Sequence, residues 1–256
     1  MQYLMEACLA YAVVPTDGRD GADLAAGTAG DEGDEKDEGG KEMNVTLIRY
    51  TPEPDKLCGE AAAICTGYTG DPLKALRGAL ESGHESVAEH AGFTFRIEDV
   101  SRVLLAQLTR HRLASFSVQS QRYCGISYNM AMPESVRNAS SHVYDVFLDA
   151  VESSHKAYDW LIENGIPAED ARMVAPEGET TDLVMTMNAR ELRHFFSLRC
   201  CNRAQWEIRE LAWRMLKEVY VVAPELFKDA GPGCLRGACP EGKRSCGKPM
   251  KRGEGA

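Results

Sequence analysis

Between Asp182 and Arg199 the chain changes its period without a break. Asp182-Leu183-Val184-Met185-Thr186-Met187 alternates like a strand, and Asn188-Ala189-Arg190-Glu191-Leu192-Arg193-His194-Phe195-Phe196-Ser197-Leu198-Arg199 continues with helical spacing. On a helical wheel Arg190, Arg193, His194 and Ser197 share a polar face, and Leu192, Phe195 and Phe196 lie opposite. Arg199 falls within about 20–40° of Leu192 and Phe195, on the apolar side. An arginine there either snorkels to solvent or is a desolvated cation held for a ligand.

The other periodic stretches give the same mixed architecture. Asn44–Tyr50 and Phe93–Ile97 alternate as strands. Short helices are expected over 55–64 and 72–82. Ser101 is placed to cap a helix running to about Leu113, on which Gln107 and Arg110 lie ~60° apart and can reach one small ligand together. Arg112 falls on the apolar side of that helix, so it must leave the helix or meet an anion. Ser115 to Tyr128 reads as loop or irregular strand. The longest helix spans about 140–164, with Val143, Phe147, Val151, Tyr158 and Leu161-Ile162 as its core face and Asn164-Gly165 ending it. Pro167 opens a short helix leading to Arg172. A last amphipathic helix begins at Ala204 and stops before Pro224.

Chemistry concentrates between Gln107 and Tyr123. Arg110, Arg112 and Arg122 stand there with His111, Ser115, Ser117, Ser120 and Gln121, close in sequence to only two acids, Glu98 and Asp99. Guanidinium forks and hydroxyls suit an ionised phosphate, although a solvated basic turn would have the same composition. His84 and His90 are six apart, ~120° out of alignment on a helix, so no metal site is expected there. Ser86 between them reads as an N-cap or turn residue.

Charge is unevenly spread along the 256 residues. The net charge is −10, but residues 1–42 hold eleven acids against three Lys/Arg, leaving 28 acids and 26 bases for the rest. A near-neutral body is unlike a general nucleic-acid binder. Residues 1–42 are expected to be a disordered acidic extension. The apolar start from Tyr3 to Val14 lacks the basic flank of a signal peptide and the length of a membrane span. Nine cysteines without a leader point to reduced thiols in the cytoplasm. Cys234, Cys239 and Cys246 sit among Gly, Pro and Lys with no Cys-x-x-Cys pair, so residues 230–256 read as a flexible tail with free thiols and no metal is expected, with a zinc site as the weaker alternative.

Arg110-His111-Arg112, seven intervening residues, Ser120 and then Arg122-Tyr123 resemble the motif of the flavin-dependent thymidylate synthases. The resemblance extends over roughly Met43 to Phe227, through Gly83–His90, Ala171-Arg172-Met173-Val174-Ala175-Pro176, Asn188-Ala189-Arg190 and Leu198-Arg199 to Gln205-Trp206-Glu207. It implies one mixed α+β domain over 43–229, of that family's α/β type. It also implies conversion of dUMP to dTMP with FAD, NADPH and methylenetetrahydrofolate, by a homotetramer whose sites are shared between subunits, with no nucleic-acid or membrane partner. Carried over by position, Gln107, Arg110, Ser120, Gln121, Arg122, Arg172 and Arg199 hold dUMP. Ser86, Arg110, His111, Arg112, Val118, Asn188, Arg190 and His194 meet the flavin, and Arg199 activates the uracil. Many family members carry an acid where Val118 stands and an asparagine where His194 stands. Val118 is then left with backbone groups and His194 with a ring donor. Two other readings stay open on the residues alone: a non-catalytic nucleotide- or RNA-phosphate-binding module, and a classical thymidylate synthase using Cys124.

Overall fold

The alternating stretches 44–50, 93–97 and 182–187 become β1 (Asn44–Tyr50), β2 (Gly92–Ser101) and β4 (Thr180–Asn188) of one antiparallel sheet, which β3 (Ala114–Val118), where the sequence reads as loop or irregular strand, completes in the order β1-β2-β4-β3. The computed structural model describes residues 42–250. The disorder expected for the acidic extension therefore lies outside the described residues except at Glu42. Pairing Phe95 with Met185, and Phe93 with Met187, puts Phe93, Phe95, Ile97, Leu183, Met185 and Met187 on one face. Period two sends the polar partners outward, where the Thr94 and Thr186 hydroxyls meet at 3.0 Å.

The apolar face is covered by α5 (Ala189–Arg199) and α6 (Trp206–Val222) through Leu192, Phe195, Phe196, Ile208, Leu211 and Met215. Before them come α1 (Pro54–Thr66), α2 (Pro72–Glu81), α3 (Arg102–Leu108) and α4 (Ser141–Glu163). Gly59 lets α1 lie against the start of α2, since a Cβ there would sit 2.3 Å from the Pro72 carbonyl oxygen. A bulge after Ile97, with Asp99 at φ 56°, redirects β2 so that Ser101 begins α3. The Ser101 hydroxyl accepts from Leu104 N at 3.0 Å and itself donates to Glu207. Glu207 also accepts from Ser101 N at 2.7 Å, and its burial pushes the carboxyl pKa up despite both bonds. These contacts pin the first turn of α3 to the first turn of α6.

Two helix expectations change. α3 ends at Leu108, not near Leu113, because the chain turns to drive His111 under α5; Arg112 has thereby left the helix and is exposed. The expected core face of α4 is mostly unburied. Only Tyr158 is buried, in a small cluster with Ile126 and Ala171, while Val143 is 51 % and Trp160 62 % exposed and Ile162 also faces outward. Within one chain α4 has no sheet beneath it, so its stripe is left uncovered. No helix among the described residues is long and apolar enough to cross a membrane. The tail is described to Met250 and folds into two 3-10 turns, Gly233–Arg236 and Gly242–Arg244.

Candidate functional site

The turn from α3 to β3 buries one imidazole. His111, 4 % exposed, packs edge-on against Phe195 at 5.0 Å, with its Nδ1 3.1 Å from the Glu191 carboxylate. Its Nε2 lies 3.2 Å from Nε of Arg199. A guanidinium only donates, so Nε2 is the unprotonated acceptor and Nδ1–H donates to Glu191. Burial holds the His111 pKa below the histidine value of 6.5 against the pull of Glu191, and the positive charge of Arg199 and the neighbouring His194 add to the depression. Glu191 is itself placed by the start of α5, where the Asn188 side chain caps the helix by accepting from Glu191 N at 2.9 Å.

Arg199 is therefore oriented from two sides, because its Nη2 also donates to the Gln107 carbonyl at 3.2 Å. The Gln107 amide donates back into its own helix, to Val103 O, so the residue serves Arg199 through its backbone. Burial, and then the like charge of Arg110, lowers the Arg199 pKa. Arg110 and Arg112 are exposed and enter no ion pair among the described residues. The Arg110 and Arg199 guanidiniums are thus close enough to repel.

A second basic group lies at the other end of α3. Arg102 donates through Nη2 to Gln119 O at 3.2 Å, while its Nε is buried without a hydrogen-bond partner. Burial lowers the Arg102 pKa, and the charge of Arg172 lowers it further. Arg172 is fixed by Nε donating to Glu169 O at 3.1 Å, and Arg122 pairs with the Glu169 carboxylate at 2.6 Å. Ser120 opens the loop, its Oγ accepting from Arg122 N at 3.3 Å, and Gln121 follows half-buried. Nothing in the sequence singles out Arg102, because a cation beside a capping serine carries no signal of its own.

The remaining positions are more dispersed. His194 is exposed, with its ring 6.1 Å from that of His111. Arg190 is paired with Glu89, tying α5 to the 3-10 turn Glu85–His90 that carries Ser86. Ser86 itself lines a groove between α1 and α2 beside Tyr68 and His84, apart from the arginine motif of its own chain. The Val118 side chain points to the sheet's inner face and packs against the core, leaving only its backbone for a ligand. Cys124 is exposed in the loop after Ser120.

His111 gives a pH prediction with a definite sign. Its folded pKa lies below the unfolded value of 6.5, so acidification protonates the unfolded chain first. Stability is expected to fall as pH drops from about 6.5 toward the folded pKa, with a slope of at most ~1.4 kcal/mol per pH unit. His111→Gln keeps an acceptor for Arg199 and a donor for Glu191 without titrating. It should flatten this limb in denaturant titrations at stepped pH, and an unchanged limb would mean another group is responsible.

One four-stranded antiparallel sheet covered by helices, with the half-buried Arg199 at the end of α5 and the exposed Arg110 and Arg112 after α3, defines an α+β protein with a cationic site. Residues 46–225 match the family model described as thymidylate synthase complementing protein. The flavin-dependent thymidylate synthase of Geobacter sulfurreducens is 48 % identical over 220 residues, covering 80 % of this chain and 94 % of that protein. That of Clostridium tetani is 43 % identical over 239 residues, covering 82 % and 96 %. The fold is shared with the UMP/dUMP methylase PolB from Streptomyces cacaoi, solved with 5-Br dUMP. The TM-score is 0.65 at 24 % identity, over 73 % of this chain and 94 % of that one. The chain belongs to the flavin-dependent thymidylate synthase family.

Proposed function

We propose that this chain methylates dUMP to dTMP, with methylenetetrahydrofolate as carbon donor, NADPH as reductant and FAD as the bound flavin. The observation that carries the reading is Arg199, held half-buried by neutral His111 and the Gln107 carbonyl with no carboxylate partner. Charge that develops on a uracil ring is stabilised by such a pre-placed guanidinium in a site from which water is largely excluded. About 8 Å of helix separates Arg102 from Gln107. That distance suits a nucleotide with its phosphate toward Arg102, Arg122 and Arg172 and its base toward Arg199. The buried, unpartnered Nε of Arg102 fits a phosphate oxygen there.

The flavin fits the remaining donor set. Arg110 and Arg112 offer unpaired cations for a pyrophosphate, and Asn188, Arg190 and His194 follow one another along α5. Bound FAD supplies the hydride chemistry, and the protein's part is to hold the ring and the nucleotide together. The position of Ser86, away from the motif of its own chain, supports sites completed by another subunit of a homotetramer. The uncovered apolar stripe of α4 is the kind of surface an oligomer buries. Cys58, Cys65, Cys200, Cys201, Cys234, Cys239 and Cys246 are in no disulfide, which supports a cytoplasmic enzyme.

The test is an anaerobic assay for dTMP from dUMP, methylenetetrahydrofolate and NADPH, with and without FAD; no dTMP from FAD-loaded protein sinks the reading. No protein nucleophile is needed on the uracil, so Cys124→Ala should turn over within about twofold of wild type, since attack by a thiolate would make that residue indispensable. Loss of turnover in this variant at normal flavin content would return the mechanism to cysteine attack.

A further inference from the structure

The tail and the residues after α5 enclose a cavity of about 620 Å³, and four thiols line it: Cys201, Cys234, Cys239 and Cys246. None of them is in a disulfide, and each is partly shielded. Cys201 comes from the turn directly after α5, while its neighbour Cys200 is fully buried in the core and does not line this cavity. The other three come from a stretch spaced Cys-x4-Cys-x6-Cys. Sequence reading finds no paired Cys-x-x-Cys there because the fourth thiol lies 33 residues before Cys234 and is brought in only by folding.

We propose that Cys201, Cys234, Cys239 and Cys246 form a four-thiolate metal site that fastens the tail to the end of α5, two residues beyond Arg199. The backbone is shaped for it. A Cβ on Gly233 would sit 2.8 Å from Pro240 Cγ, so the glycine lets the Cys234 turn close onto the Cys239 turn. Gly247 at φ 72° folds the chain back so that Lys248 N donates to Cys246 Sγ at 3.4 Å. Such a bond neutralises part of a sulfur's negative charge and orients it as a ligand. The cavity also carries Arg203 and Arg244. On metal binding each thiol gives up its proton to solvent. Four thiolates around one divalent ion, or around a doubly positive [4Fe–4S] core, leave a net charge of about −2 that these cations offset.

The same ligand set serves a zinc ion or an iron–sulfur cluster, and the cavity favours the cluster. Among the described residues, no three His, Cys, Asp or Glu side chains are gathered closely enough to hold a single ion. The thiols stand instead around a void. Zinc needs every sulfur about 2.3 Å from one point. A cluster carries its own sulfides between the irons and spans a wider ring of thiolates.

The experiment is metal and acid-labile sulfide analysis of the full chain, purified without oxygen and again after anaerobic supply of iron and sulfide. Flavin absorbance overlaps that of a cluster, so sulfide content and electron paramagnetic resonance after reduction are the readouts. About four iron and four sulfide per chain mean a cluster, and about one zinc without sulfide means a single ion; either establishes the four-thiolate site. Cys234→Ser and Cys239→Ser should each lower retained metal about tenfold or more, since even loss of a residue behind a ligand costs roughly 10–100-fold. The exposed thiol of Cys65, on α1, serves as control, and Cys65→Ser should keep the full complement. Wild-type protein holding neither metal after both treatments overturns the site. So does metal lost equally from Cys65→Ser.

Discussion

Replacing Arg199 with alanine is expected to lower dTMP formation about a hundred- to a thousandfold, the scale on which one pre-placed donor to a developing negative charge acts. Affinity for dUMP should change much less, because the uracil is neutral in the ground state and the phosphate is held at the far end of α3. Reduction of the flavin by NADPH should survive, since that half of the reaction does not charge the uracil. Arg199→Lys should rescue poorly. With two of its three donors spent on His111 Nε2 and the Gln107 carbonyl, an ammonium keeps one for a ligand and cannot present two parallel donors. The competing account, an arginine that only snorkels past an apolar stripe, predicts a small stability change and near-normal turnover. Measuring flavin reduction and dTMP release side by side on the alanine variant decides between them, and near-normal dTMP release removes Arg199 from the chemistry.

Arg199 was legible because its signal is local: a cation on the apolar side of a helix is out of place wherever the helix packs. The same holds for β1, β2 and β4, whose alternation is a local pattern. What stayed hidden depends on pairs distant in sequence. His111 reads as one more polar residue until Glu191 and Arg199 arrive around it from 80 and 88 residues away. Arg102 looks ordinary until Arg172 and Gln119 close over it. The α4 stripe misleads for a different reason, since helical periodicity marks a face to be covered without saying whether the cover comes from the same chain. Four thiols around one cavity are invisible to spacing rules that look for ligands in pairs.

Arg193 is the plainest case of a local pattern overruled, and it carries the second large effect. The wheel puts it with Arg190, His194 and Ser197 on a polar face, yet it is 1 % exposed. The Glu85 turn and the chain after α6 fold over that side. Its Nη1 donates to Leu226 O at 2.5 Å and Asp229 Oδ1 at 2.7 Å, while Nε and Nη2 reach Glu85 Oε1 at 3.2 and 3.1 Å. Burial works against the charge, but the bonds from Asp229 and Glu85 outweigh it and raise the Arg193 pKa. Burial also works against ionisation of Asp229, and Arg193 and Arg236 still hold its pKa below the usual 3.8. That stabilisation is present above about pH 3.8 and is lost as pH falls through the folded value. Arg193→Met removes the buried cation and leaves Glu85 and Asp229 with only the longer contact of Arg236, 3.4 Å from Glu85, to offset them. Breaking a buried pair costs about 3–5 kcal/mol, and because Glu85 and Asp229 are each about 30 % exposed the lower end, about 3 kcal/mol, is expected. Denaturant unfolding at neutral pH with FAD saturating measures it. The triple variant Glu85→Gln, Arg193→Met, Asp229→Asn should recover a large part of the loss, because the one charge of the cluster then left, Arg236, is partly exposed to solvent. A single-variant cost below about 1 kcal/mol would mean that water already reaches the guanidinium and that this cluster does not hold the turn, α5 and the chain after α6 together.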